Sequence, residues 1–148
     1  MQATHPLNLG PIGVTGSNSA NNIAEEADVI LAVGTRLQDF TTGSWTAFSK
    51  SAQFVSLNVG RFDATKHTSL SVVGDAKLGI ESLSVALGTY QSPADWTAKA
   101  QDERKKWDVY VAQNVAYGNR PNSYAQAIGV ANELCDERDR VVAAAGGL

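Results

Sequence analysis

Cysteine is all but missing from this 148-residue chain, where Cys135 stands alone. One thiol closes no internal disulfide, so the fold must be held by its core rather than by covalent staples. Histidine is equally scarce, and His5, His67 and Cys135 lie too far apart in sequence to suggest a zinc site. No apolar run approaches the ~20 residues that span a bilayer, and residues 1–30 lack a basic start, an apolar stretch and a small-residue cleavage site. Basic residues are in the minority, twelve against fifteen acidic ones, for a net charge of -3. Such dispersed, slightly acidic charge leaves no footprint for nucleic acid or an anionic membrane. These absences point to a protein of the reducing cytoplasm.

What is present is a core-forming composition. Hydrophobic residues make up 43% and charged residues 18%, the balance of a globular protein, and the length allows one domain or one and part of another. The segment THPLNLGPIGVTGSNSAN reads as a loop leading to a helix that starts near Ser17, Asn18 or Ser19, each able to cap it. Ala20, Ile23, Ala24 and Ala27 then recur on one helical face. Asp28–Gly34, Phe54–Val59 and Leu70–Val73 are short apolar runs, the pattern of parallel strands covered on both faces. After Asp75 a helical repeat of Ala76, Ile80, Leu83 and Leu87 runs to Gly88. Residues 89–95 link to a long polar helix opened by Pro93 and Asp95, with Trp96, Ala100, Trp107 and Val111 on one side. A break at 116–122 precedes a helix expected to turn Tyr124, Ile128, Ala131 and Cys135 inward, and the run Val141–Ala145 ends in Gly146 and Gly147.

This order predicts an α/β fold, a partial Rossmann-like (DHS-like) parallel sheet flanked by helices and followed by a helical linker. Three strands are fewer than the five or six of a doubly wound domain, so the sheet is expected to be truncated at both ends, as in a piece of a larger enzyme. Its open edge and uncovered apolar face would pair with a second copy or with the C-terminal segment, which makes a homo-oligomer the expected state.

Residues with chemical potential gather after the strands. Gly10, Gly13 and Gly16 precede a helix and could bring backbone amides to an anion, but HPLNL with its Pro6 is a poor upstream strand, and a plain flexible loop explains them as well. Gly34, Thr35 and Arg36 follow the first strand, where open parallel sheets place their ligand crevice. Arg36 could grip a phosphate or carboxylate, or pair with Asp39 to pin the loop. Asn58, Arg61 and Asp63 follow the second strand, and Asp63 reads as a helix N-cap or a ribose ligand. His67 has no nucleophile or metal partner nearby in sequence. Gly74-Asp75 begins like a magnesium and diphosphate motif, yet Ala76 follows and the next Asn is Asn114, so Asp75 reads as an N-cap. Trp45, Trp96 and Trp107 are expected to pack elements together. No catalytic residue and no metal ligand emerges.

The order GSNSANNIAEEADVILAVGTRLQDFTTGSW, then VSLNVGRFDATKH, then VVGDAK resembles the central domain of thiamine diphosphate-dependent enzymes, the group of acetohydroxyacid synthase and pyruvate oxidase. Its wording resembles most a branch that opens a cyclic 1,2-dione by carbon-carbon cleavage in myo-inositol catabolism. SYAQAIGVANELCDERDRVVAAAGGL resembles the start of the family's third domain. The resemblance implies a plan in which residues 1–90 belong to the central domain, 91–122 are a helical linker and 123–148 begin the diphosphate-binding domain. It implies thiamine diphosphate and Mg²⁺ in the full-length enzyme, held outside this chain, a cyclic dione as substrate, and subunits that assemble as dimers or tetramers. It transfers no catalytic residue, and the isolated piece is expected to be inactive. Relatives hold FAD or ADP on the central domain, at positions that match Gly34, Thr35, Arg36, Asn58, Arg61 and Asp63. A nucleotide-binding module of an acetolactate synthase-like enzyme is thus the alternative, although Gln38-Asp39 stands where flavin enzymes carry an acidic pair.

Overall fold

A computed structural model of the chain describes residues 4–116 and 123–142. The chain divides into two compact units, Met1–Lys105 and Lys106–Leu148, and the division falls inside a long helix. The first unit opens with a loop and continues through α1 (Asn18–Glu26), β1 (Val29–Val33), α2 (Asp39–Thr42), β2 (Gln53–Asn58), α3 (Arg61–Ala64), β3 (Leu70–Val73) and α4 (Ala76–Leu87). The three strands form one parallel sheet in the order β1-β2-β3. The α/β class and the partial Rossmann-like sheet thus stand as the sequence implies.

Local chemistry sets the boundaries. Ser17 caps α1 by accepting from the Ala20 amide at 3.3 Å, and its hydroxyl donates to the Leu9 carbonyl at 2.6 Å. Ser19 donates to the same carbonyl at 2.6 Å, so two buried hydroxyls tie the N-terminal loop to the helix it precedes. Asp75 caps α4 through the Leu78 amide at 3.0 Å, satisfying one of the orphan donors of the first turn. Gly88 ends the helix with its amide on the Ser84 carbonyl.

Register puts Ala32, Ser56 and Asn58 on one face of the sheet and Leu31, Val55, Leu57 and Val72 on the other. Only one face is covered, which corrects the expectation that the runs are buried on both faces and agrees with that of an uncovered apolar face. Ala32, Ser56 and Asn58 are buried, whereas Leu31 and Val72 remain 45% and 44% exposed. The helix beside them, α4, forms over the expected repeat but leaves Ile80, Leu83 and Leu87 exposed. Its half-buried positions are Ala76 and Gly79, and a Cβ at Gly79 would sit 2.8 Å from Leu57 Cδ1. Close approach at that one glycine replaces a broad apolar seam. A cavity of about 440 Å³ is left between Leu31, Val55 and Val72 on the sheet and Leu78 and Leu83 on the helix.

The long helix α5 spans Ala94–Val115. Within the first unit, its Lys99 pairs with Glu26 of α1, Asn22 of α1 donates to Glu103 at 2.7 Å, and Arg104 donates to the Asn8 carbonyl. Lys99 and Glu103 lie one helical turn apart, so two consecutive turns address the same helix, and Ala100 beside them is buried.

In the second unit, Trp107 stacks on Tyr110 with centroids 5.3 Å apart. Ser123 and Gln126 form a reciprocal capping box at the start of α6 (Tyr124–Leu134). The inward face of α6 is Ala125, Gln126 and Gly129 rather than the expected Tyr124, Ile128, Ala131 and Cys135, all of which are exposed. Gly129 lies close against Val115, where a Cβ would meet the Val115 Cβ at 2.9 Å. Of the expected break at 116–122, residues 117–122 lie outside the described residues, as does the end of the apolar run, 143–145 with Gly146 and Gly147.

Candidate functional site

The C-terminal ends of β1 and β2 carry two loops, Gly34–Gln38 and Val59–Gly60, that one buried side chain joins. Asn58 donates through Nδ2 to the Thr35 carbonyl and accepts the Gly60 amide on Oδ1, both at 2.9 Å. Gly34 itself donates its amide to the Leu57 carbonyl at 2.9 Å, and the Thr35 hydroxyl accepts the Leu37 amide at 3.2 Å.

Above this clamp lies an ionic cluster. Lys66 Nζ donates to Asp63 Oδ1 at 2.9 Å and to the Arg36 carbonyl at 2.7 Å, while Arg36 Nε reaches Asp63 Oδ2 at 3.5 Å. The Lys66 hydrogen bond, with the Arg36 guanidinium beside it, holds the Asp63 carboxyl below its ordinary value near 3.8. Two expectations change here. Arg36 pairs with Asp63 and not with Asp39, and Asp63 is not an N-cap, because Gly60 occupies that position of α3 and Asp63 lies inside the turn. Arg61 is exposed, and its guanidinium has no hydrogen bond or ion pair among the described residues. Of the six residues singled out by sequence, Thr35 contacts Asn58 and Arg36 contacts Asp63 directly, Gly34 bonds to Leu57 beside them, and Arg61 stands on the adjoining turn.

The glycine series has a different use. The amides of Gly10, Gly13, Val14, Gly16 and Ser17 donate to Asn8, Asn21, Phe40, Gly13 and Pro11 respectively. With these donors spent internally, the loop offers no ready cradle for an anion. Gly13, at φ 111°, has no room for a side chain, since a Cβ would collide with the Phe40 carbonyl oxygen and approach Thr41 Cα to 2.8 Å.

Beside the ionic cluster opens a cleft of about 530 Å³ lined by Leu37, Gln38, Asp39, Phe40, Lys66 and His67. Its His67 side is backed by an aromatic cluster. The His67 ring lies on Trp45 with centroids 3.5 Å apart, Trp45 meets Phe54 at 5.2 Å, and Phe48 meets Phe54 edge-on at 5.0 Å. Trp45 therefore packs elements together as expected. Sequence reading singled out none of Gln38, Phe40 or Lys66 as a site residue. The available signal was position, since GTRLQDF follows a strand directly and its last four residues line the cleft.

No group of three or more His, Cys, Asp or Glu side chains among the described residues could hold a metal ion, and the Asp75 carboxylate is committed to the α4 cap. No described helix is long and apolar enough to cross a membrane.

Post-strand crevices on a three-stranded parallel sheet define the class as an α/β domain of the nucleotide-fold type. The family profile described as thiamine pyrophosphate enzyme, central domain, matches residues 1–83, and the chain belongs to that family. It is 38% identical along its whole length to a 3D-(3,5/4)-trihydroxycyclohexane-1,2-dione hydrolase of Geobacillus thermodenitrificans, covering 26% of that protein. It is 33% identical to hydrolase 1 of the same name from Bacillus cereus and 32% identical to the Clostridium perfringens protein, in each case over the whole chain and 27% of the relative. The chain thus spans about a quarter of the length of these relatives. The family implies thiamine diphosphate as cofactor.

Proposed function

We propose that the chain is a central-domain segment of a thiamine diphosphate-dependent enzyme that opens a cyclic 1,2-dione by carbon-carbon cleavage in myo-inositol catabolism. In this reading it is a scaffold without a catalytic residue of its own and inactive in isolation. The supporting observation is the identity along the whole chain to proteins named as hydrolases of such a dione. Residues 1–90 then belong to the central domain, 91–122 to a helical linker and 123–148 to the start of the diphosphate-binding domain. Flanking regions hold thiamine diphosphate and Mg²⁺, and the enzyme works in the cytoplasm as a homo-oligomer.

A second reading keeps a nucleotide, FAD or ADP, on Gly34, Thr35, Arg36, Asn58, Arg61 and Asp63. It is favoured by the open space over Gly34 and Gly74, where an added Cβ would meet nothing within 4 Å. Asn58 and Asp63 would then hold the loops, leaving the exposed guanidinium groups of Arg36 and Arg61 for the phosphates.

Calorimetric titration of the purified chain separates these readings. Silence with thiamine diphosphate and Mg²⁺ is expected of the scaffold, and saturable heat with them would overturn it. Saturable heat with FAD or ADP, weakened about tenfold by Arg36→Ala through loss of a charged hydrogen bond, would establish the second reading.

A further inference from the structure

The cleft between residues 37–40 and 66–67 is not used by either reading, and its backbone is unusual. Five non-glycine residues adopt positive φ: Leu37 at 46°, Ser44 at 53°, Trp45 at 67°, His67 at 54° and Thr68 at 59°. They fall in three segments: Leu37 just before α2, Ser44 and Trp45 just after it, and His67 and Thr68 in the segment whose His67 ring stacks on Trp45. Left-handed backbone at leucine, tryptophan and threonine is costly and persists where surrounding structure over-determines it, which is common at ligand sites. Here the aromatic column from Phe48 through Phe54 and Trp45 to His67 supplies that support.

The side chains left over at this support suit one kind of ligand. The side chains of Asp39 and Gln38 and the His67 ring make no hydrogen bond or ion pair among the described residues, although each residue lines the cleft. Phe40 beside them is 72% exposed. Lys66 spends two of its three donors on Asp63 and the Arg36 carbonyl and keeps one. A carboxylate, an amide and an imidazole around an exposed aromatic face match a polyhydroxylated ring, whose hydroxyls exchange hydrogen bonds with the polar groups while its C–H face lies on the phenyl. Asp39 disfavours a phosphorylated ligand, because its charge repels phosphate without a cation paired to it.

We propose that this cleft binds an uncharged, polyhydroxylated carbocycle, with Asp39 and Gln38 taking adjacent hydroxyls, Phe40 the ring face and Lys66 an oxygen at the ring edge. The choice of a carbocycle over other polyols rests on the reading that the parent enzyme acts on a hydroxylated cyclohexane-dione. The cleft would then select the ring for size and hydroxylation, apart from the bond-breaking chemistry.

The test follows ¹H–¹⁵N spectra of the 148-residue chain during titration with scyllo-inositol, a fully hydroxylated ring without charge or carbonyl. Saturable shifts of the Trp45 indole and the Gln38 side-chain amide are expected, with a midpoint on the order of millimolar for so small a ligand. Asp39→Asn and Phe40→Ala should each weaken binding about fivefold or more, while the linear hexitol mannitol binds more weakly than the ring. Absence of shifts up to about 50 mM, or shifts that both variants leave unchanged, would overturn the proposal. Shifts of the same signals by AMP with scyllo-inositol silent would overturn it in favour of a nucleotide. None of these results depends on ring cleavage, so a longer protein that fails to consume a dione would refute the parent reading and leave this one standing.

Discussion

The two faces of the small sheet are built on different principles. Toward Ala32, Ser56 and Asn58 the strands are sealed, and the sealing is largely polar and backbone-directed: Asn58 ties two loops, buried serines tie a third, and aromatic rings stack beneath. Toward Leu31, Val55 and Val72 the surface is apolar but incompletely covered, with α4 touching closely at Gly79 and a cavity beside it. The face with more hydrophobic side chains is therefore the less finished one. Burial in this unit follows where hydrogen-bonded loops fold over the sheet, and hydrophobic content alone does not secure it.

Substitutions on each side sharpen this contrast. The largest effect is expected from Gly13→Ala, which adds a Cβ against the Phe40 carbonyl at a φ of 111°. A loss of about 3 kcal/mol in urea unfolding is expected from overpacking and backbone strain combined, and a loss below about 1 kcal/mol would mean that the loop yields freely. Asn58→Ala comes next, because it strands the Thr35 carbonyl and the Gly60 amide together. About 2 kcal/mol should be lost on the same measure.

Ser56 offers a smaller effect of opposite sign. It is fully buried and its hydroxyl finds no partner among the described residues, so Ser56→Ala should leave stability unchanged or raise it by up to about 1 kcal/mol. On the open side, Val85 is 83% exposed, and Val85→Ser should stay within about 0.5 kcal/mol of the parent. A larger loss there would show that the apolar face is covered in solution.

The Asp63 cluster gives a pH readout. Its carboxyl is held below 3.8 by Lys66 first and then Arg36, so the stabilisation it provides is complete above the unfolded value and fades as pH falls through the lower folded one. A carbon-detected titration of Asp63 should show a midpoint below 3.8, and Lys66→Met should move it upward.

Much of this fold was legible in the residue pattern, for reasons that are local. The three apolar runs became strands within a residue or so of their expected limits, and Ser17 and Asp75 act as caps because short acceptors at a helix start meet orphan amides wherever the rest of the chain goes. The partners of Arg36 and Asp63 were not legible. Asp39 is three positions from Arg36 and Asp63 lies a strand away, yet the parallel register sets the second pair side by side. The inner face of α6 was misplaced, and the close contact of α4 was not legible, for a related reason. Periodicity marks large apolar residues, while Gly79 and Gly129 create contact by lacking a side chain. The cleft escaped notice because it is made by backbone in unusual conformations and by Trp45 and His67 meeting across loops.

Gly13 has a reach beyond its own loop. Its neighbour Val14 donates its amide to the Phe40 carbonyl at 2.9 Å, and the bare Cα of Gly13 lets the two strands of loop lie flush. Residue 13 therefore acts as a shim of zero thickness behind residue 40. A thicker one would push the Phe40 segment outward and change the aperture of the cleft without altering any residue that lines it, so the tuning of that opening is encoded at a position remote from it in sequence.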